Sequence, residues 1–193
     1  MAEVKCPTLG NILDTESCVE NLAGMGSVVY VGVKSELKRP LTAEDNVYNT
    51  PEFESGKGLY RFDCKDESQK IEGSSLKNNK GFSLKGTFVI DLVNELVSKY
   101  GRSLNNLKIF LIFPENGKSQ IMYDPIRNIK FEDGGIKTTT GAQASDERNT
   151  TCEAVLKPVF YPNLYVKEPT AGWDSLLASK ASGSASPASG LHS

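Results

Sequence analysis

Residues 81–124 read GFSLKGTFVIDLVNELVSKYGRSLNNLKIFLIFPENGKSQIMYD, and the hydrophobic period changes twice within them. Phe82, Leu84, Phe88 and Ile90 alternate, with Gly86 in the slot between, which is the two-residue repeat of a half-buried strand. Leu92, Val93, Leu96, Val97, Tyr100 and Leu104 then recur at three- and four-residue spacing, which predicts a helix over about 91–104. Asp91 is placed to cap its first turn, Lys99 and Arg102 lie near its carboxyl end, and Gly101 is a candidate stop. If that whole apolar stripe is buried, each side chain contributes roughly 1.5–3 kcal/mol before ordering entropy is subtracted. Lys108–Phe113 returns to strand composition, Pro114-Glu115-Asn116-Gly117 is a tight turn, and Ser119–Tyr123 is a second strand. Strand, helix and hairpin together predict an α+β chain, mainly β with one packed helix.

Outward from this unit, residues 1–24 form an expected N-terminal arm carrying Leu9, Ile12 and Leu13, and Ser27–Lys34 is a β-branched strand. Residues 35–57 are polar, contain Pro40 and Pro51, and keep no period; a loop of that length is a mobile excursion or a contact surface. Val47, Tyr48 and Phe53 are the side chains that would anchor it on a partner, leaving it dispensable to the fold. Tyr60, Phe62 and Cys64 alternate with Arg61, Asp63 and Lys65, and a weaker strand follows over Gln69–Gly73 with Lys70 and Glu72 on its polar side. Paired in order with the strand at 82–90, these would form a meander whose charged face gathers Arg61, Asp63, Lys65, Lys70, Glu72, Ser83, Lys85 and Thr87. Such a face suits solvent, and it suits a water-filled pore equally.

Beyond the hairpin, Ile129–Glu132, Ile136–Thr140, Thr150–Tyr161 and Leu164–Val166 are further strand pieces, with a polar link at 141–149. The expected domain spans 25–167. Residues 168–193 are a C-terminal arm, in which Trp173, Leu176 and Leu177 dock or close the core, followed by a Ser/Gly/Ala tail that lacks the apolar bulk to order itself.

Composition removes several classes of function. Across 193 residues the formal net charge is −2 and the Lys and Arg are scattered, which argues against tight nucleic-acid binding. No apolar run reaches the roughly 20 residues that span a bilayer, and the N-terminus lacks a signal-peptide core, so neither membrane insertion nor that route of secretion is expected. Cys6, Cys18, Cys64 and Cys152 form no CxxC pair; free buried thiols are the expectation, with a Cys6–Cys18 bridge as the alternative. His192, the single histidine, falls in the tail, so histidine-dependent triads and metal sites have no member in the folded part. Glu132-Asp133 and Asp146-Glu147 are adjacent pairs that point to opposite faces rather than flank one substrate bond. No GxGxxG or GxxxxGK[ST] occurs, Asp133-Gly134-Gly135 lacks the spaced carboxylates of a calcium loop, and Asn149-Thr150-Thr151 is a chance sequon. No enzyme, cofactor or metal site is expected.

The order of elements, with GFSLKGTFVIDLVNELVSKYGRSLNN, NNLKIFLIFPENGKSQIMYD and GGIKTTTGAQASDERNTT, resembles the major tail tube protein of long-tailed bacteriophages over about residues 25–167. The resemblance implies an antiparallel β-sandwich or split barrel flanked by the helix. It also implies six-fold rings of the chain itself, stacked into a hollow tube that meets other tail proteins, with DNA as non-specific passing cargo. Localisation would be the virion, assembled in the bacterial cytoplasm. The loop at 35–57 and the terminal arms would bridge subunits, and an acidic lumen would be expected, whereas the face gathered above is richer in Lys and Arg. The competing readings are a monomeric β-sandwich module binding glycan or protein through Tyr48, Tyr60, Tyr165 or Trp173, and another virion component such as a head decoration or tail completion protein.

Overall fold

Strands dominate the chain: β1 (Val28–Val33), β2 (Ala43–Glu44), β3 (Val47–Tyr48), β4 (Tyr60–Asp63), β5 (Lys70–Ser75) and β6 (Phe82–Ile90) precede the helix α1 (Glu95–Asn106). After it come β7 (Ile109–Glu115), β8 (Lys118–Met122), β9 (Ile136–Thr139), β10 (Asn149–Val159) and β11 (Tyr165–Val166). The structure, a computed structural model, describes residues 25–115, 118–141 and 147–178. The expected arm at 1–24 with Cys6 and Cys18, the turn residues Asn116 and Gly117, residues 142–146 and the tail with His192 lie outside the described residues.

The strands form a seven-stranded sheet, ordered β2-β3-β11-β8-β7-β1-β4, and a four-stranded sheet, ordered β5-β6-β10-β9; neither closes into a barrel. Every pairing is antiparallel except β3 with β11, where Tyr165 faces Val47 in parallel. The expected meander is corrected here, because β4 pairs with β1 (Val29 opposite Phe62) and not with β5. The chain changes sheets between two successive N–H groups: Cys64 N–H still donates to Ser27 O (2.8 Å), while Lys65 N–H donates to Val89 O (2.7 Å) at the end of β6. Of the expected strand at 129–132, only an isolated bridge between Lys130 and Val155 forms.

Ile109–Phe113 of β7 are buried on both faces, none more than 1% exposed. One face meets the four-stranded sheet, where Phe88 and Phe113 approach edge to face at 6.3 Å. Gly86 lies in that interface, and a Cβ there would come within 2.4 Å of Met122 Sδ and 3.0 Å of the Phe113 ring. The missing side chain is therefore a packing requirement.

α1 covers the same side of β1 and β4, with Tyr100 stacked on Phe62 at 5.8 Å. It starts at Glu95, later than the sequence suggests, because Asn94, rather than Asp91, caps it: Asn94 Oδ1 accepts from Val97 N–H at 2.9 Å. Leu92 and Val93 stay outside the helix; their carbonyls accept from Thr150 Oγ1 and the Arg148 guanidinium. Gly101 does not end the helix, which runs to Asn106. Only Val97 and Leu104 are buried, so the six-residue stripe delivers far less burial than its pattern implies.

The opposite face of β7 is covered by the two segments expected to reach outward. Phe53 stacks on Phe110 at 6.4 Å, Tyr48 meets Tyr123 edge to face at 5.2 Å, and Leu41 is 4% exposed with its N–H on Tyr123 Oη. Val47 pairs in β3. Val47, Tyr48 and Phe53, expected as anchors on a neighbour, are thus packed into the chain's own fold. Residues 168–178 close the rest, with Trp173 buried and its Nε1–H on Ser119 Oγ at 2.9 Å. Tyr30 Oη–H donates to Asp174 Oδ1 at 2.7 Å. Cys64 is half-buried and Cys152 buried; both are free, and burial pushes their thiols up to about 11 and about 12.

Leu41→Ala is expected to cost roughly 2–4 kcal/mol and Trp173→Ala roughly 3–5 kcal/mol in chemical denaturation; deletion of 39–56, harmless to an independent loop, is expected to unfold the chain. Burial first, then the Asp174 carboxylate, pushes the Tyr30 phenol up to about 12, and burial does the same at Tyr48. Both phenols are held neutral in the folded state, so their stabilisation is complete below pH ~10 and is lost as pH rises toward ~12. Tyr30→Phe and Tyr48→Phe should each flatten that alkaline loss, measured as Tm against pH.

Candidate functional site: the outward face of the four-stranded sheet

Alternation along β6 sends Leu84, Gly86 and Phe88 into the core and Ser83, Lys85 and Thr87 outward. Register extends that outward face across the sheet. Lys70 lies opposite Thr87, Glu72 opposite Lys85, Glu153 opposite Thr87, and Lys137 opposite Thr151. Lys70, Glu72 and Lys85, three of the predicted pore-facing residues, are therefore brought together. The other three are not: Arg61 and Asp63 stand on the edge strand of the seven-stranded sheet and Lys65 just past its end. Arg61 binds Asp63 at 2.8 Å and Asp174 at 2.9 Å, and Lys65 binds Glu147 at 2.5 Å, so this trio closes the chain's own corner.

Three lysines of the gathered face are paired with carboxylates. Lys70 pairs with Glu72 (3.2 Å), Lys85 with Glu153 (2.6 Å), and Lys157 with Glu132 (2.5 Å). The Glu153 hydrogen bond raises the Lys85 pKa, and the Lys157 hydrogen bond lowers that of Glu132. Both side chains are solvent-exposed, so these pairs add little stability and are screened by salt. Their effect is on the potential: Lys and Glu alternate at contact distance, and the excess of cations read along 61–85 disappears once Glu153 and Glu132 join the face. Those two carboxylates were not placed on this face from the sequence because they come from β10 and from the loop before β9, far along the chain from residues 61–85. The face is close to charge balance rather than acidic.

Both edges of this sheet, β5 and β9, have no strand partner among the described residues. In the larger sheet β2 and β4 are the edges; the chain covers only the start of β4, through Leu59 N–H to Leu176 O and Ala178 N–H to Leu59 O. Beside β4 lies a groove of about 750 Å³ between that strand and α1, lined by Phe62, Tyr100, Leu104 and Leu107. Of the aromatics weighed as ligand contacts, Tyr48 and Trp173 are core, Tyr165 is half-buried, and Tyr60 is exposed on the groove wall.

Among the described residues no group of three or more His, Cys, Asp or Glu could hold a metal ion, and no helix is long and apolar enough to cross a membrane. Lys34, the one lysine the fold draws inward around a turn, is satisfied structurally. Its ammonium donates to the backbone oxygens of Asp124 (2.6 Å) and Arg127 and to Asn128 Oδ1 (3.2 Å), and burial pulls its pKa down.

Lys85→Glu would set like charges against Glu72 and Glu153. The expected outcome is a lower Tm at low ionic strength that recovers toward wild type near 1 M salt, where screening reaches ~3 Å. Compared with family models, curated proteins and solved structures, this chain has no match.

Proposed function

We propose that this chain is a structural subunit that assembles with copies of itself into stacked rings. The outward face of the four-stranded sheet would be the wall of the lumen, as in a tail tube subunit of a long-tailed bacteriophage. On this reading the two sheets are a β-sandwich flanked by α1, six copies close a ring, and other tail proteins cap the tube in the virion. One observation carries the reading: a sheet with an apolar inner face, a polar outer face on which Lys70, Lys85 and Lys157 are paired with carboxylates, and two edges without a strand partner among the described residues. Unpaired edges are filled when neighbouring copies add strand to strand, and a closed ring removes them altogether. A polyanion sliding past a surface binds it through unpaired Lys and Arg, so cations already held by Glu72, Glu153 and Glu132 favour passage over capture. The seven-stranded sheet is a poorer lumen wall, since both faces of its central strand are buried.

The α1–β4 groove, with Tyr60 and Tyr100 on its walls, favours the second reading, a monomeric module that binds glycan or protein. Negative-stain electron microscopy of the concentrated full-length chain separates the two. Rings or hollow filaments about one sheet-wall in thickness are expected; a particle that stays monomeric at every concentration and salt, and that is retained on a glycan array, would sink the ring reading.

A further inference from the structure

β6 runs nine residues from Phe82, which faces Val159, to Ile90, which faces Thr150, so its ends stand roughly 26 Å apart at about 3.3 Å per residue. Just past the Phe82 end, Phe160 is 73% exposed and Ile126 is 82% exposed, on the wall of one shared depression. The turn carrying Ile126 is rigid: Asp124 Oδ1 accepts from the N–H groups of Ile126 (2.9 Å) and Arg127 (2.6 Å), and Lys34 ties its carbonyls from below. Just past the Ile90 end, Leu92 and Leu96 are 48% and 52% exposed, and Thr150 Oγ1 holds the Leu92 carbonyl at 3.2 Å. Isolated exposed apolar side chains need no explanation. These, however, sit in pairs at opposite poles of the same strands.

The charges around the two poles differ in sign. Lys80 and Arg127 line the cavity beside Phe160, with Lys77 close by in sequence. Asp91 and Glu95 flank Leu92 and Leu96, and the exposed Asp66 and Glu67 follow Lys65, whose N–H is bonded to Val89 O at that same end. At the first pole Asp124 offsets Arg127, and Asp45 on the wall of the same depression offsets one of the two lysines; at the second, Lys65 is taken up by Glu147, and Lys99 and Arg148 offset part of the rest, so neither sign is reversed. Unlike poles on one chain suit a heterologous contact repeated by translation, whereas a two-fold contact would press like charges together.

We propose that copies stack pole to pole, Phe160 and Ile126 of one copy seating against Leu92 and Leu96 beside the start of α1 on the next, with Lys80 facing Glu95. This rests on the self-assembly reading and names the contact between successive rings.

The test uses the full-length chain. Phe160 is replaced by the photo-crosslinker p-benzoylphenylalanine, and equal amounts of ¹⁵N-labelled and unlabelled protein are mixed, irradiated under assembling conditions and mapped by mass spectrometry. Mixed-isotope crosslinks into residues 91–99 are expected; crosslinks into 125–127 or 158–161 of the other copy would mean that like poles meet and would overturn the contact. In parallel, Phe160→Asp and Leu96→Asp, both at exposed positions and checked for a wild-type melting curve, are expected to leave separate rings and to raise the concentration needed for tubes at least about tenfold. Tubes of normal length from either variant overturn the stacking contact and leave the ring reading standing. Variants that fall to monomers assign these side chains to ring closure and overturn it likewise, while a wild-type chain that never assembles removes both readings.

Discussion

A strand buried on both faces demands two covers, and β7 imposes that demand on the whole chain. Ile109–Phe113 present apolar side chains to both sides, and burial of such a run is the dominant favourable term in a domain of this size. The four-stranded sheet and α1 supply one cover. The other must come from segments with little regular structure, which is why residues 36–59 and 168–178, polar on average, give up Leu41, Tyr48, Phe53 and Trp173 to it. Small polar contacts then lock these segments in register: Trp173 on Ser119, Tyr30 on Asp174, Leu41 on Tyr123.

The same constraint leaves the four-stranded sheet as the exposed layer. Its strands alternate, so one side is spent on the interface with β7 and the other is left polar. Ion pairs across β5, β6 and β10 hold that side close to neutral, and no element of the described chain covers it or its edges. The chain thus carries one continuous core together with a sheet whose two edge strands have no partner among the described residues.

Legibility in the sequence follows range. Alternation at 82–90, the apolar run at 109–113 and the hairpin to 118–122 were all readable, because each depends on neighbours a few residues away. Val97 and Leu104 were placed correctly on the buried side of a helix, but Leu92, Leu96 and Tyr100 were not: a periodic stripe says which side chains share a face and nothing about how wide the partner is. Here β1 and β4 offer α1 only a narrow seat. Asp91 and Asn94 are equally good caps on paper, and the bonds from Thr150 and Arg148 to the Leu92 and Val93 carbonyls decided for Asn94.

The sequence by itself determined the class, a mainly β chain with one helix, along with the inward and outward sides of β6 and the free state of Cys64 and Cys152. Tertiary structure alone decided which strands became neighbours. β4 and β5 are adjacent in the chain yet belong to different sheets, because the Cys64 N–H bonds to Ser27 just before β1 and the next N–H, of Lys65, bonds to Val89 of β6. That single switch divided the charged residues read as one face into two groups, leaving Arg61, Asp63 and Lys65 as a corner clasp and Lys70, Glu72 and Lys85 on the outward face of the four-stranded sheet. Strand pairing is a long-range choice made by competing interfaces, and local pattern carries no record of it.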